Sequence, residues 1–459
     1  MIQAVRSAFA LPDLRKKILY TFLILAIYRL FAQVPVPGVN ADALAELFGS
    51  SQLLDILDML SGGAMARFSV MAMGVYPYIT ASIIIQLLTP IIPALENLQK
   101  EGEQGRTKLN QYTWYLTVPL ALLQAYGQAV IMTQLAGGQP ILAQFGFRDA
   151  PLTTTAILAT MTAGTLFAVW LGELISEQGI GNGTSIIILG GIVTRLPQRM
   201  ANLVITQQWL YLMLFVVITT ITVVGIVYIQ EGKLMIWVQY SSRTLGQRGG
   251  RLRQTRSVRT HIPLRVNMAG MIPLILAQSL MIFPSTIAGY FMPAAGQDPA
   301  TYTIVQTIAY WTDQIFNPRY NIYWPLYFVA VVLFTYFYTS VIFEQQNMAD
   351  NLRKQGASIP GIRPGKRTEQ YLTQKVRRIT LVGALFLGLV AVLPWLVGMV
   401  AQLFGAGVGT ASSTGSNIMI ISSTGLLIVV GVVLDTMRQL EAQLQMRHYD
   451  KFLRRGILG

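Results

Sequence analysis

The 459-residue chain contains no cysteine and only two histidines, His261 and His448. Without cysteine there is no disulfide framework, thiolate nucleophile, iron–sulfur cluster or thiolate zinc site. Both histidines lie in basic stretches outside every apolar run, which leaves no Ser–His pair and no haem-holding imidazole inside a membrane. Charge is also scarce. Asp, Glu, Lys and Arg make up 12% of the residues, against about 25% in soluble domains. No Gly-x-x-x-x-Gly-Lys-Ser/Thr loop is present to cradle a nucleotide phosphate, so any energy source belongs to another molecule.

What the chain has in abundance is apolar length. Apolar residues are 53% of the total, and the mean hydropathy is +0.50. They fall into ten runs: Ile18–Val34, Val70–Ile92, Trp114–Leu135, Leu152–Leu174, Thr184–Leu196, Trp209–Ile229, Val266–Phe291, Tyr320–Phe343, Ile379–Val400 and Ile418–Leu434. A bilayer core takes roughly 20 residues per helix, so the reading is an all-α polytopic membrane protein with ten transmembrane helices. The fifth and tenth runs are the shortest and the most interrupted by glycine.

Lys and Arg in the connections set the orientation. Five segments, 1–17, 100–108, 233–265, 353–378 and 438–455, hold 28 of the 34 basic residues. They alternate with the runs so that all five fall on one side. That places both termini in the cytoplasm, most simply of a cell whose plasma membrane holds the protein, with an internal membrane such as a thylakoid as the other possibility. The first apolar run is span-length and lacks a small-residue cleavage site, so 1–17 reads as a cytoplasmic segment rather than part of a removable signal.

No Asp, Glu, Lys or His sits centrally in any run; Arg29, Glu173 and Asp435 lie toward run ends. Proton- and ion-coupled pumps use such groups, each costing several kcal/mol to hold in the membrane. A secondary transporter of small solutes is therefore the weaker of two readings, beside a neutral conduit. Gly74-Val75-Tyr76-Pro77 in the second run is echoed by Gly270-Met271-Ile272-Pro273 in the seventh. Paired Gly and Pro point to two five-helix halves around a central pathway. Gly and Pro are also common in membrane helices generally, so the echo alone leaves both readings open.

The stretch Ser61–Leu88 (SGGAMARFSVMAMGVYPYITASIIIQLL) closely resembles the second-helix signature of the SecY family, the channel subunits of the bacterial Sec translocon. Glu101–Tyr112, Trp170–Leu196, His261–Pro273 and Asp350–Gly365 match further family segments in order, so the resemblance covers essentially the whole chain. It implies two pseudo-symmetric five-helix halves around a central hourglass pore. The first half would run over 18–207 and the second over 208–437, with cytoplasmic loops 231–265 and 344–378 and a cytoplasmic tail at 438–459. The implied function is a protein-conducting channel for unfolded preproteins that also releases transmembrane segments sideways into lipid.

Residue by residue, the resemblance makes Ser61, Gly62, Gly63, Ala64, Met65, Ala66, Arg67 and Phe68 a plug, a short helix filling the outer funnel. The bland alternative is an ordinary outside loop. Val75, Ile79, Thr184, Ile188, Ile275 and Ile428 match the pore ring, where branched apolar side chains dewet a narrow waist. Without the family match, helix packing would explain them. The family favours isoleucine at these positions, so Thr184 is a departure and Val75 a milder one. Thr80, Gln124 and Asn267 match polar positions of the lateral gate that signal peptides and apolar segments open; ordinary interhelical glue would use the same residue types.

Glu231–Arg265 carries a net charge of +7 and Glu344–Arg378 one of +5. The charges sit mid-loop. Alternation over Lys233–Tyr240 predicts a strand, and hence a hairpin with a Gly249-Gly250 turn and arginines near its tip. Arg243, Arg248, Arg251, Arg253 and Arg256, with Arg363, Lys366 and Arg367 in the second loop, suit phosphates and acidic surfaces. The family resemblance implies ribosomal RNA and the SecA ATPase as their partners, SecE-type and SecG-type small membrane subunits beside the channel, and no cofactor. Anionic lipid headgroups are the simpler partner for the same charges.

Overall fold

The protein is described here from a computed structural model, which covers residues 11–40, 44, 63–135, 145–147, 150–205, 207, 209–240, 259–270, 272–291, 302–318, 320–345, 348–403 and 425–444. Its helices are α1 (Pro12–Phe31), α2 (Tyr76–Leu88), α3 (Pro93–Lys100), α4 (Glu103–Leu135), α5 (Pro151–Gln178), α6 (Gly183–Ile205), α7 (Trp209–Glu231), α8 (Ile272–Tyr290), α9 (Ile304–Phe316), α10 (Tyr323–Gln345), α11 (Met348–Lys354), α12 (Lys366–Leu403) and α13 (425–444). Strands β1 (Lys233–Tyr240), β2 (Arg259–Arg265) and β3 (Ala357–Ser358) form one antiparallel sheet in the order β2-β1-β3.

A helix coincides with each of the ten apolar runs, although several boundaries move. Helix α4 begins at Glu103 and α12 at Lys366, well before their apolar stretches, because polar residues continue a helix as readily as they form a loop. Much of the loop expected over 344–378 is therefore helical. By length and composition alone, α5, the stretch Tyr323–Lys354 and Lys366–Leu393 are sufficient to cross a membrane. Helices α2 and α3 qualify together, but a 98° bend separates them.

The chain divides into two compact units. The first comprises Met1–Val217, Ser279–Tyr323 and Pro394–Gly459, and the second Ile218–Gln278 and Trp324–Leu393. In the first unit α2 lies on α4, α4 on α5, and α5 on α6, with α1 against α5 and α6. Phe31 and Phe167 meet edge to face across α1 and α5, with ring centroids 4.9 Å apart.

The second unit is built around the sheet. Ile236 and Val238 of β1 point inward with Leu264 of β2, while Met235 and Trp237 point out. The inward set packs on Phe343, Leu352, Ile359, Leu372 and Val376, so α10, α11 and α12 share one core with the hairpin. The expected strand Lys233–Tyr240 is present over those residues, pairing from Lys233↔Arg265 to Gln239↔Arg259.

The Gly-x-x-Pro echo gains a structural meaning. Gly74 (φ 53°) and Gly270 (φ 66°) both have left-handed backbone, and each lies two residues before a helix whose second residue is the proline. Glycine adopts that conformation at little cost, and proline is tolerated in a first helical turn because its missing N–H has no partner there. The motif therefore marks the start of α2 and α8 rather than a kink within them, which corrects the expected starts at Val70 and Val266. Ahead of each glycine the chain pairs with the end of an earlier helix. Val70 N–H donates to Val34 O at 3.0 Å, and Val266 N–H to Gly232 O at 2.9 Å.

Candidate functional site

Ahead of α2, within the stretch expected to form the plug, residues Met65–Arg67 form a single 3₁₀ turn. Phe68 closes the turn with left-handed backbone (φ 43°, ψ 52°), its N–H donating to Met65 O at 2.8 Å. Ser69 N–H donates to Ala64 O, and Val36 N–H to Phe68 O, both at 3.0 Å. The turn is thus tied to itself and to the chain just after α1. Ser61 and Gly62 lie outside the described residues.

The seat of this turn is apolar. Met65 and Phe68 are buried with Ala121, Ala125, Ala129 and Met132 of α4, with Ile157, Leu158 and Met161 of α5, and with Val36. Phe68 is 0% exposed. Alanines at every fourth position of α4 leave a flat stripe on which a backbone turn can lie. Gly164 of α5 completes the fit, for a Cβ there would come within 1.9 Å of the Val70 carbonyl oxygen. Gly63 and Ala64 are buried, Ala66 is half-buried, and Arg67 points out.

Directly after the turn come the first two residues expected in the ring. Val75 is buried at the N-terminal cap of α2, and Ile79, one turn on, donates its N–H to Val75 O. Thr184 and Ile188 are likewise one turn apart at the start of α6; Ile188 is buried and Thr184 half-buried. The Thr184 hydroxyl donates to Asn182 Oδ1 at 2.7 Å. Its methyl lies over Gly172, where an added Cβ would be 3.1 Å away. Ile428 is fully buried on α13 within the first unit. Ile275, half-buried on α8, belongs to the second unit.

Of the three residues expected at the gate, Thr80 donates its hydroxyl to Tyr76 O at 3.1 Å along α2. Asn267 Nδ2 donates to Gly270 O at 2.9 Å and so braces the turn ahead of α8. The buried carbonyl oxygens of Gln124 and Asn267 have no hydrogen-bond partner among the described residues, and Gln128, one turn from Gln124, repeats the pattern. Unpartnered amide oxygens are expensive to bury.

Arg363, Lys366 and Arg367 are exposed. Arg363 lies between Gly361 (φ 83°) and Gly365 (φ 107°), and its carbonyl accepts the Thr368 hydroxyl at 3.0 Å, which fixes the loop while the guanidinium stays in solvent. Arg243, Arg248, Arg251, Arg253 and Arg256, with the expected Gly-Gly turn, lie outside the described residues. Trp237 and His261, opposite each other on the outer face of the hairpin, meet with their rings tilted by 51° and their centroids 3.7 Å apart.

Sequence reasoning missed Ser69, Gly164 and the Val34–Val36 pairing partner. Ser69 Oγ accepts Met71 N–H at 3.2 Å inside the core. A lone serine, a mid-helix glycine and three residues after a helix carry no signal beyond composition. The exception is Gly164, whose place among the small residues of Ala163-Gly164-Thr165 hints at a close helix contact.

The model of the SecY family matches residues 69–437. The protein translocase subunit SecY of Thermotoga maritima is 37% identical over 469 residues, covering 99% of each chain. Among solved structures, a SecY protein described by the role of its plug domain in stabilising the closed channel has a TM-score of 0.62 at 18% identity, over 93% of this chain and 91% of the other. Sec61 in the canine ribosome–channel complex from the endoplasmic reticulum has a TM-score of 0.57 at 16% identity, with the same coverage.

Proposed function

The chain belongs to the SecY family, and on that premise we propose that it conducts unfolded preproteins across the membrane and releases transmembrane segments laterally into lipid. Membership in a family of protein-conducting channels favours a polypeptide path over the small-solute exchange that the sequence alone left open. The observation that carries the reading is the apolar turn Met65–Phe68, buried in the first unit and rooted in the start of α2. As a plug it fills the path at rest. Val75, Ile79, Ile188, Ile275 and Ile428 form the ring behind it, where branched side chains exclude water and offer a passing chain no hydrogen bond. Thr184 joins the ring without making it polar, because its hydroxyl is spent on Asn182.

Thr80, Gln124 and Asn267 line the gate. Two of them keep a buried oxygen without a described partner, as befits groups that exchange partners when a seam opens. Interhelical polar contacts in membranes are worth only about 0.6–2 kcal/mol each, so the seam closes without locking. Asp or Lys costs about 2.5–3.5 kcal/mol at a span centre whereas Leu and Ile partition favourably, and a segment exposed to lipid through the gate sorts on that difference.

The motor is a partner: a SecA-type ATPase or a translating ribosome at the basic loops, with Arg363, Lys366 and Arg367 as the described contacts. SecE-type and SecG-type subunits complete the channel, which lies in the bacterial plasma membrane with both termini in the cytoplasm and anionic lipids at its basic flanks. Reconstitution with these partners tests the reading. A preprotein stalled in transit and bearing a photoreactive group should cross-link to Ile79, Ile188 and Ile428, and not to lipid-facing Leu333. Saturable solute exchange without preprotein transit would overturn it.

A further inference from the structure

Helix α9 was not anticipated from sequence, and its faces are inverted relative to a helix of a soluble protein. Ile304, Ile308, Trp311 and Ile315 follow the i, i+4, i+7, i+11 spacing of one stripe. Ile304 is 78% exposed, Ile308 62% and Trp311 59%. The opposite face holds Ala309 and Asp313, both buried. Asp313 Oδ1 accepts the Ser285 hydroxyl of α8 at 3.1 Å and the Asn317 amide at 3.0 Å. Within the first unit this clasp turns the polar face inward and leaves the apolar stripe outward.

We infer that the stripe is covered by lipid. Helix α9 would lie in the headgroup boundary of the membrane, as an interfacial helix. Three observations favour lipid over any other cover. Between residues 302 and 318 the one charged residue is the buried Asp313, so the outer face offers neither water nor an acidic or basic partner a charge to meet. Tyr302, Tyr310 and Trp311 cluster along the helix, with centroids 6.0 and 6.4 Å apart; Tyr and Trp favour the membrane–water boundary.

The chain also leaves little slack. Helix α9 ends at Phe316 and α10 begins at Tyr323, a gap that extends at most about 25 Å. Phe291, just after α8, and Ile322, just before α10, are exposed apolar residues as well. At 13 residues, or about 20 Å, α9 is too short to cross and must lie along the surface.

The inference rests on α8 and α10 being membrane-crossing, and the test separates the two claims. The natural absence of cysteine allows single-cysteine labelling of the otherwise native full chain. Ile308→Cys and Trp311→Cys, each carrying an environment-sensitive fluorophore, are compared in proteoliposomes with Leu333→Cys in the middle of α10 and Lys354→Cys on α11. Lipids brominated near the headgroup end of the acyl chain should quench positions 308 and 311 severalfold more than lipids brominated at mid-chain. Position 333 should show the reverse, and position 354 neither.

Water-like emission at 308 and 311 beside a deeply quenched 333 overturns the inference and leaves the spans intact. The same holds if 308 and 311 are shielded only after a membrane subunit is added, since the cover is then protein. An unquenched 333 removes the spans and the inference together.

Discussion

Phe68 offers the sharpest test of a seated plug, because its side chain and its backbone pull in opposite directions. The ring is wholly buried against the alanine stripe of α4 and Met161 of α5, while its φ of 43° is one that L residues avoid. Phe68→Ala deletes the ring and keeps the strain; emptying such a site costs about 3–5 kcal/mol. At 1.36 kcal/mol per tenfold, the balance between seated and displaced turn should shift by roughly two to four powers of ten. Phe68→Gly deletes the same ring but removes a left-handed penalty of about 1–2 kcal/mol. Glycine gives back about 0.5–1 kcal/mol through its greater freedom when displaced.

The net gain of about 0.5–1 kcal/mol should leave Phe68→Gly roughly two- to fivefold less displaced than Phe68→Ala. That reverses the usual ranking, in which glycine is the more damaging replacement. The assay is resting ion conductance of the reconstituted chain in planar bilayers without a motor, with thermal unfolding measured in parallel. Phe68→Leu should fall between the native chain and both truncations. A lower melting temperature with unchanged conductance would show that Phe68 only packs the core. A glycine variant leakier than alanine would refute the left-handed seat.

Three further predictions follow from the proposed sites. Arg363→Glu should abolish SecA-driven translocation in reconstituted vesicles while the protein still inserts and assembles, because the loop is fixed by its backbone and only the exposed charge changes; normal preprotein transit would count against the contact. Replacing Arg248, Arg251 and Arg253 with Ala should weaken ribosome binding and lower its salt slope by about 2–3, and an affinity that is unchanged across a salt titration would sink the RNA contact. Replacing Ile79, Ile188, Ile275 and Ile428 together with Gly should raise resting ion leak while preproteins still cross; a poorly folded protein with no leak would mark these residues as packing alone.

Apolar length made the fold legible. Each run found its helix, and the alternation of Lys233–Tyr240 found its strand, since period and hydropathy are local properties. Boundaries were less legible because hydropathy reports the membrane and not the helix: α12 runs through the charged Lys366–Arg378 without a break. Helix α9 was overlooked for its shortness, although Thr303 and Gln306 signal its start; the Gln306 side chain accepts Thr303 N–H at 2.9 Å. The seat of Phe68 was not legible at all. It depends on pairing Val36 with Phe68, 32 positions apart, through backbone atoms that every sequence possesses. Positions in a family motif could be named from sequence, but what each side chain touches could not.

The pairing of Val34 with Val70 also sets the length of a leash. If the turn at Gly63–Phe68 leaves its seat, the bond from Val36 to Phe68 breaks first, while the one from Val70 to Val34 can hold, backed by Gly164 pressed against the Val70 carbonyl. From Val70 to Gly63 the chain extends at most about 25 Å. On the plug reading, a displaced turn therefore travels no further than that from Val70 and stays within reach of its seat when the path empties.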